Sequence, residues 1–511
     1  VENEWWQRLG TDEFGLKCGN VRSGTTQDVF LLRKKVHPFD FLKNLVPKLA
    51  EAGAEIFGEA ELTLAKINRA RPTISFNVTS GIDWFDLKFI EEGSRSKTDM
   101  PQILEALKKG DSFVELGDGS RAILPEEWLK RFESLAKLGE IDGGKLRFKA
   151  SQAFLLETLL ESQTGKVTKD AVFKKLTDKL ADFEKVRAKK ELSTFKGKLR
   201  DYQRKGLGWL SYLENLGLSG CLADDMGLGK TIQVLALLQS RKDAQHPTLI
   251  VAPKSLVFNW ISESQKFTPS LKVIEYTGGS RREVLSQFAE ADLIVTTYGS
   301  VRTDILELAK LQFDYVILDE SQTIKNSSSQ IAKAVRLLKG EHRLVLTGTP
   351  IENHVGELWS QFEFLNPGML GPEQSFKRIS ESTDSQAALT TMSRALEPFI
   401  LRRTKEQVLK ELPPKTEQLL YCEFEEDERK KYDELREYYR VRLNERLEKF
   451  GANKSQIQIL EALLRMRQAS CDFRLVNPEV ESLPGPKVRA LLTQLEDILA
   501  SGHKALIFSQ F

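Results

Sequence analysis

The stretch LADDMGLGKT, Leu222–Thr231, decides how this chain folds. It follows an apolar run, Gly220–Ala223, and leads into KTIQVLALLQS, whose apolar residues recur at helical spacing. A buried strand, a loop and a helix beginning near Gly229 make the geometry that phosphate binding requires, because backbone N–H groups and a helix N-terminus converge on one anion. Gly227 and Gly229 let the backbone approach closely, and Asp225, Met226 and Leu228 complete the loop. Lys230 would reach the β- and γ-phosphates of a nucleotide, and Thr231 would ligate magnesium through its hydroxyl. Asp224 stands where the usual pattern has its first glycine, and the loop alone leaves that irregularity unexplained.

Outward from the loop, short apolar runs alternate with helical patterns. The runs are SGCLA, TLIVA, LKVIEY, ADLIVTTY, FDYVILDE and HRLVLTGT, separated by segments such as SLVFNWISESQKF. Each is near-continuous in apolar residues, as a strand with both faces covered must be, and the alternation is that of βαβ units in a parallel sheet. YVILDESQ (Tyr315–Gln322) ends its strand in two acids, where an open α/β sheet places its ligand groups. Asp319 would hold the water shell of magnesium and Glu320 would orient and deprotonate an attacking water. Capping a helix is the alternative use of such a pair. LVLTGTP (Leu344–Pro350) ends a further strand in small polar residues. Thr347 and Thr349 either sense the nucleotide state and relay it, or build a simple Gly-Thr-Pro turn.

The flanks read differently. Residues 1–192 mix strand and helix signals: TISFNV alternates Ile74, Phe76 and Val78, SFVELGDGSRAIL places a Gly-Asp-Gly-Ser turn between two strand-like runs, and Pro125 opens PEEWLKRFESLAKL at helical spacing. This is the pattern of an α+β accessory domain. Lys166 to Lys198 is lysine-rich and helical, a solvated amphipathic helix running into a linker or else a DNA-contacting face. From about Ala395 the strands stop and long charged helices such as DERKKYDELREYYRVRLNERLEKF take over. The end, PKVRALLTQLEDILASGHKALIFSQF, reads as one helix and one apolar strand.

At 511 residues, with 41% hydrophobic and 29% charged residues, the chain is long enough for several cores. Seventy-five Lys and Arg against seventy-three Asp and Glu leave a net charge of +2, so any basic surface must be local. No run approaches the roughly twenty apolar residues of a membrane span, Val1-Glu2-Asn3-Glu4 does not resemble a secretory leader, and the expected setting is the cytoplasm. Cys18, Cys221, Cys422 and Cys471 lie too far apart for a zinc module or a disulfide framework.

In order and spacing, the phosphate loop, the acid pair and the Gly-Thr-Pro segment resemble the Swi/Snf-type ATPases of helicase superfamily two, chromatin remodellers and bacterial double-stranded DNA translocases. LRDYQRKGLGWL (Leu199–Leu210), VAPKSLVFNW (Val251–Trp260), TTYGSV (Thr296–Val301), DESQTIKN, LTGTPIEN and FILRRTKEQVLKELPPKTE (Phe399–Glu417) match in the same order. In that family the loop reads DEMGLGKT or DDMGLGKT, so Asp224 is the expected residue. The resemblance implies a RecA-like lobe working in the bacterial cytoplasm or nucleoid, and assigns further parts. Gln203 would read adenine, Gln322 would couple the γ-phosphate to motion, and Pro253, Lys254, Thr297 and Tyr298 fall in segments that touch one strand's phosphate backbone without reading bases. Helix-start and loop packing is the other reading of Lys254 and Tyr298. Arg402, Arg403 and Lys405 belong to the segment that braces the two lobes, or form a solvated basic run.

The expectation is therefore an accessory domain over 1–192, a first RecA-like lobe over 193–394, a helical linker or protrusion over 395–484 and the start of a second lobe over 485–511. The cofactors implied are ATP and magnesium, and the partner is double-stranded DNA, with RNA polymerase or chromosomal proteins as further candidates and no membrane. The acid motif Asp-Glu-Ser-Gln departs from the family's Asp-Glu-Ala-His or Asp-Glu-Gly-His and weakens the assignment of Gln322. The first strand of a second lobe with nothing after it, and a chain starting without Met, read as a motor with its second half removed, and loss of arginine fingers costs about 10³–10⁵ in rate. A nucleotide-responsive binding module without competent hydrolysis, and a strand-separating helicase, stand as the alternatives.

Overall fold

The apolar runs around the phosphate loop become one sheet. In the computed structural model, which describes residues 16–19, 29–32, 73–92, 100–109, 113–115, 121–123, 135–161, 166–348, 355–381, 385–410, 416–479 and 484–511, the chain divides into two compact units, Val1–Lys410 and Glu411–Phe511.

The first unit begins with a pair of strands, β1 (Leu16–Gly19, which carries Cys18) and β2 (Val29–Leu32). A five-stranded sheet follows, in the order β7-β8-β4-β3-β9, built from β3 (Thr73–Ser80), β4 (Trp84–Glu92), β7 (Glu140–Asp142), β8 (Lys145–Lys149) and β9 (Val167–Lys169). β3 holds the alternating Ile74, Phe76 and Val78, with Phe76 and Val78 buried, so period-2 patterning places one face on the core. Between β4 and β7 a hairpin pairs β5 (Phe113–Glu115) with β6 (Arg121–Ile123). Its Gly-Asp-Gly-Ser turn and the helix start at Pro125 lie outside the described residues. The lysine-rich segment is helical over Ala171–Ala181, capped by the Asp170 carboxylate, and continues irregularly from Val186 to Arg200.

The central sheet has seven strands, all parallel, in the order β12-β13-β11-β14-β15-β10-β16. They are β10 (Gly220–Leu222), β11 (Thr248–Ala252), β12 (Val273–Tyr276), β13 (Leu293–Thr297), β14 (Gln312–Leu318), β15 (Lys339–Leu346) and β16 (Ile400–Leu401). Successive residues serve opposite faces: Leu222, Ile250, Ala252, Val295, Ile317 and Leu344 enter one core cluster, while Cys221, Leu249, Val251, Ile294, Val316 and Val345 enter another. Two buried faces explain why these runs show no polar alternation. Strands do not stop at Ala395. β16 pairs with β10, Cys221 opposite Ile400 and Leu222 opposite Leu401, within the unit Val1–Lys410. Two residues are too few to show a period, and only the pairing defines them as a strand.

Glu411–Phe511 holds the charged helix Glu426–Lys454, interrupted at Gly451 with φ 75°, and the helices Gln456–Cys471 and Pro486–Ala500. The Asp472 carboxylate gathers them by accepting from Arg474 and from the Gly485 N–H. The strand expected at KALIFSQF is not seen: residues 503–511 have no regular structure and are exposed, and no strand among the described residues lies beside them to complete a ladder. No helix among the described residues is long and apolar enough to cross a membrane.

Candidate nucleotide site

The carboxyl ends of β10, β14 and β15 bring the phosphate loop, the acid pair and Thr347 to one edge of the sheet. Past β10 the loop turns into the helix Lys230–Gln239 through Gly229, whose φ of 74° is left-handed. A side chain there would also strike the Gln203 amide, whose Nε2 lies 2.7 Å from where a Cβ would sit. Glycine is required on both grounds. Gly227, with φ 87°, and Met226 are exposed, whereas Leu228 is fully buried and anchors the loop. Lys230 Nζ donates to the Asp224 carbonyl at 2.7 Å, and Thr231 follows in the first helical turn.

Asp224 now has a physical reason. Its carboxylate is fully buried and accepts from Arg403 Nε at 2.8 Å, from Arg403 Nη2 at 2.5 Å and from Gln233 Nε2 at 3.1 Å. Arg403 also donates to Gln233 Oε1 and to the Tyr202 carbonyl. Backbone bonds run beside this pair: Ala223 N–H to the Leu401 carbonyl, Asp225 N–H to the Arg403 carbonyl, and Lys405 N–H to the Asp225 carboxylate. The phosphate loop is thus laced to residues 401–405, and Lys405 lies over Gly227, its Nζ 3.8 Å from a Cβ position there. Arg402, by contrast, points to solvent. Asp225 sets the end of the lacing, so the basic run is built into the loop's support.

Gln203 sits at the start of the helix Asp201–Asn215, buried. Its Oε1 accepts from the Arg200 N–H at 2.8 Å as a helix cap, and its Nε2 donates to the Leu228 carbonyl at 3.1 Å. Tyr202 Oη donates to that same carbonyl at 3.0 Å. Gln203 is therefore held against the phosphate loop, and an adenine ring would share an amide already used at both ends.

Asp319 is buried and Glu320 half-buried. Asp319 Oδ2 accepts from Trp260 Nε1 at 2.8 Å and Oδ1 from the Glu320 N–H at 2.9 Å. Burial raises its carboxyl above the ordinary range, the Trp260 N–H opposes that, and the neighbouring Glu320 charge adds to it. The same burial raises Glu263, on the Trp260 helix near Asp319. Glu320 is the one non-glycine residue with positive φ, 48°, among those described. Such a conformation costs about 1–3 kcal/mol and persists only where its surroundings hold it. Glu320 Oε2 accepts from Gln322 Nε2 at 2.8 Å, and Gln322 Oε1 accepts from Thr347 Oγ1 at 3.5 Å. Thr347 in turn gives its N–H to the Leu222 carbonyl, at the base of the phosphate loop. Thr349 lies outside the described residues.

The remaining candidates divide. Pro253 caps the helix Lys254–Phe267 at the end of β11, and Lys254 is exposed beside Phe258, 76% exposed. Thr297 ends β13 and caps the helix Tyr298–Leu308 by accepting from the Ser300 N–H. Tyr298 does not offer itself to a backbone phosphate: it is 5% exposed and its hydroxyl donates to the Asp319 carbonyl at 2.6 Å. Burial first, then the nearby acids, keep that phenol protonated well above its usual range. This burial and hydrogen bond accord with the packing reading of Tyr298. The Trp260–Asp319 bond and the Asp224–Arg403 pair leave no local signal in the sequence, since each joins segments far apart in the chain.

The donors fit magnesium. A threonine hydroxyl and a buried carboxylate are hard oxygen ligands of the kind the ion takes while keeping several waters, and a carboxylate disfavoured by burial gains from a cation. Free Cys221, beneath the loop, is pushed up to about 12 by burial and is inert as a thiolate.

Comparison with known proteins adds the relationship. Residues 202–475 match the SNF2-related domain, and residues 13–190 match the domain described as bacterial SNF2 helicase associated. The chain is 39% identical over 304 residues to the TATA-binding protein-associated factor MOT1 of Saccharomyces cerevisiae, spanning 53% of this chain and 16% of that protein. It is 35% identical over 354 residues to the putative ATP-dependent helicase/translocase YwqA of Bacillus subtilis, spanning 66% of this chain and 38% of that one. The chain thus corresponds to well under half the length of these relatives. The Sulfolobus solfataricus SWI2/SNF2 ATPase core in complex with dsDNA is 35% identical over 62% of this chain and 68% of its own, with a TM-score of 0.42. The SNF2-related match alone takes in more than half of the residues, and the chain belongs to the SNF2 family.

Proposed function

We propose that this chain is the ATP-hydrolysing lobe of a translocase that moves along double-stranded DNA and remodels protein–DNA complexes. The observation that carries the reading is the convergence of the Lys230 loop with the strained Glu320 and its Gln322–Thr347 link at adjoining strand ends. Lys230, now on the Asp224 carbonyl, would exchange that acceptor for β- and γ-phosphate oxygens. Glu320, aimed by its backbone and by Gln322, would hold the water in line with the γ-phosphorus and take its proton. Thr231 and Asp319 would hold magnesium, which when bound neutralises phosphate charge. Gln322, between Glu320 and Thr347, would report loss of the γ-phosphate to the base of the loop.

Lys254, Pro253 and Thr297 supply a sequence-independent backbone track, with the salt dependence that counterion release imposes. The relatives named as a helicase/translocase and as a TATA-binding protein-associated factor support a DNA-directed motor, with proteins on DNA as its load. Glu320→Gln tests the assignment: turnover falls by about 10²–10⁴ while binding of a fluorescent ATP analogue persists. Unchanged turnover removes Glu320 from its role.

A further inference from the structure

We infer that Trp260 and Tyr298 are positioning residues that tie duplex contact at the strand ends to the aim of Glu320. The inference rests on the proposed DNA-directed function and adds residues to it.

The argument turns on one peptide unit, that joining Asp319 to Glu320. Its carbonyl accepts from Tyr298 Oη at 2.6 Å, and its N–H donates to Asp319 Oδ1 at 2.9 Å. The other oxygen of that carboxylate, Oδ2, is held by Trp260 Nε1 at 2.8 Å. Rotation of this peptide sets where the Glu320 side chain points, because Glu320 φ, at 48°, begins at its nitrogen. Both restraints therefore act on the torsion that the site keeps in a costly conformation.

The Trp260 restraint arrives from a helix whose start is exposed at Lys254, and the Tyr298 restraint from a helix start exposed at Gly299. Trp260 is 1% exposed, on the helix that starts at Lys254 and displays Phe258. Tyr298 opens the helix Tyr298–Leu308, which Thr297 caps by accepting from the Ser300 N–H, so a shift of that helix start moves the phenol. β13, β11 and β14 are neighbours in the sheet, which puts the loops after them side by side. An indole N–H and a neutral phenol are each a single donor, and each is spent on Asp319. A polyanion drawing the exposed helix starts together would press both donors toward that peptide, and a helix carries such a shift as a rigid body.

The test uses Trp260→Phe and Tyr298→Phe in the full chain, each of which keeps an aromatic ring and removes one donor. The readouts are the affinity for a blunt duplex by anisotropy, the affinity for a fluorescent Mg·ATP analogue with and without saturating duplex, and kcat and KM for ATP with duplex. Expected are duplex affinity within about twofold of wild type, KM little changed, and a duplex effect on nucleotide affinity and kcat reduced at least about fivefold. Variants that respond to duplex as the wild type does overturn the inference. A wild-type chain that binds nucleotide but gives no response to duplex overturns the DNA-directed reading, and this inference with it.

Discussion

A fully buried carboxylate is tolerable only with a partner, and Asp224 has Arg403, whose side chain is 12% exposed. That pair is why an aspartate stands where other phosphate loops have glycine, and it makes residues 401–405 part of the nucleotide site. Arg403→Ala is expected to cost about 3–5 kcal/mol, since it strands a buried charge. It also weakens nucleotide binding by loosening the loop. Adding Asp224→Ala to it costs less than the sum of the single changes, because the stranded charge goes with it. Calorimetric melting and nucleotide titration of both singles and the double check this, and strict additivity contradicts it. At this scale the sequence was legible wherever chemistry is local. Lys230, Thr231, Asp319 and Glu320 were named from a strand, a loop and two acids, and the fold brings them to one edge. Burial and partner are properties of the fold and leave no local mark at Tyr298 or Arg403: the acceptor of one is Asp319 O, and of the other a carboxylate 179 residues away.

Among elements, the linker after the lysine-rich helix is more than a tether. Its backbone crosses the helix Asp201–Asn215 so closely that a Cβ on Gly208 would lie 2.1 Å from the Arg187 carbonyl. Glu191 fastens it, accepting from Arg204 Nη2 at 2.8 Å and Nε at 3.0 Å. The Arg204 guanidinium holds the Glu191 carboxyl at about 2, below its ordinary 4.5. A carboxyl with a lowered folded pKa contributes stability above its unfolded pKa and loses it as pH falls through the folded one. Glu191→Gln should therefore lower the thermal midpoint at pH 7, with the gap from wild type closing as pH falls from 4.5 toward about 2. A gap independent of pH contradicts the ion pair's role. The strands β10 to β15 were legible because burial on both faces writes an apolar run into the sequence. β16 was hidden by its two-residue length, and KALIFSQF misled because apolar composition supplies no pairing partner.

For the whole molecule, a net charge of +2 gives no general attraction to DNA, so the proposed contact depends on the few exposed residues at the strand ends. Its energy should then be phosphate-dominated and lost steeply with salt. The most direct measurement is steady-state ATP hydrolysis by this chain at low salt, with and without duplex DNA, using Lys230→Ala as the blank. The account predicts Lys230-dependent turnover that duplex of any sequence raises, and a stimulation that fades as salt is increased. Turnover absent, or equal with and without duplex while nucleotide still binds, would contradict a DNA-driven motor and leave a nucleotide-responsive binding module.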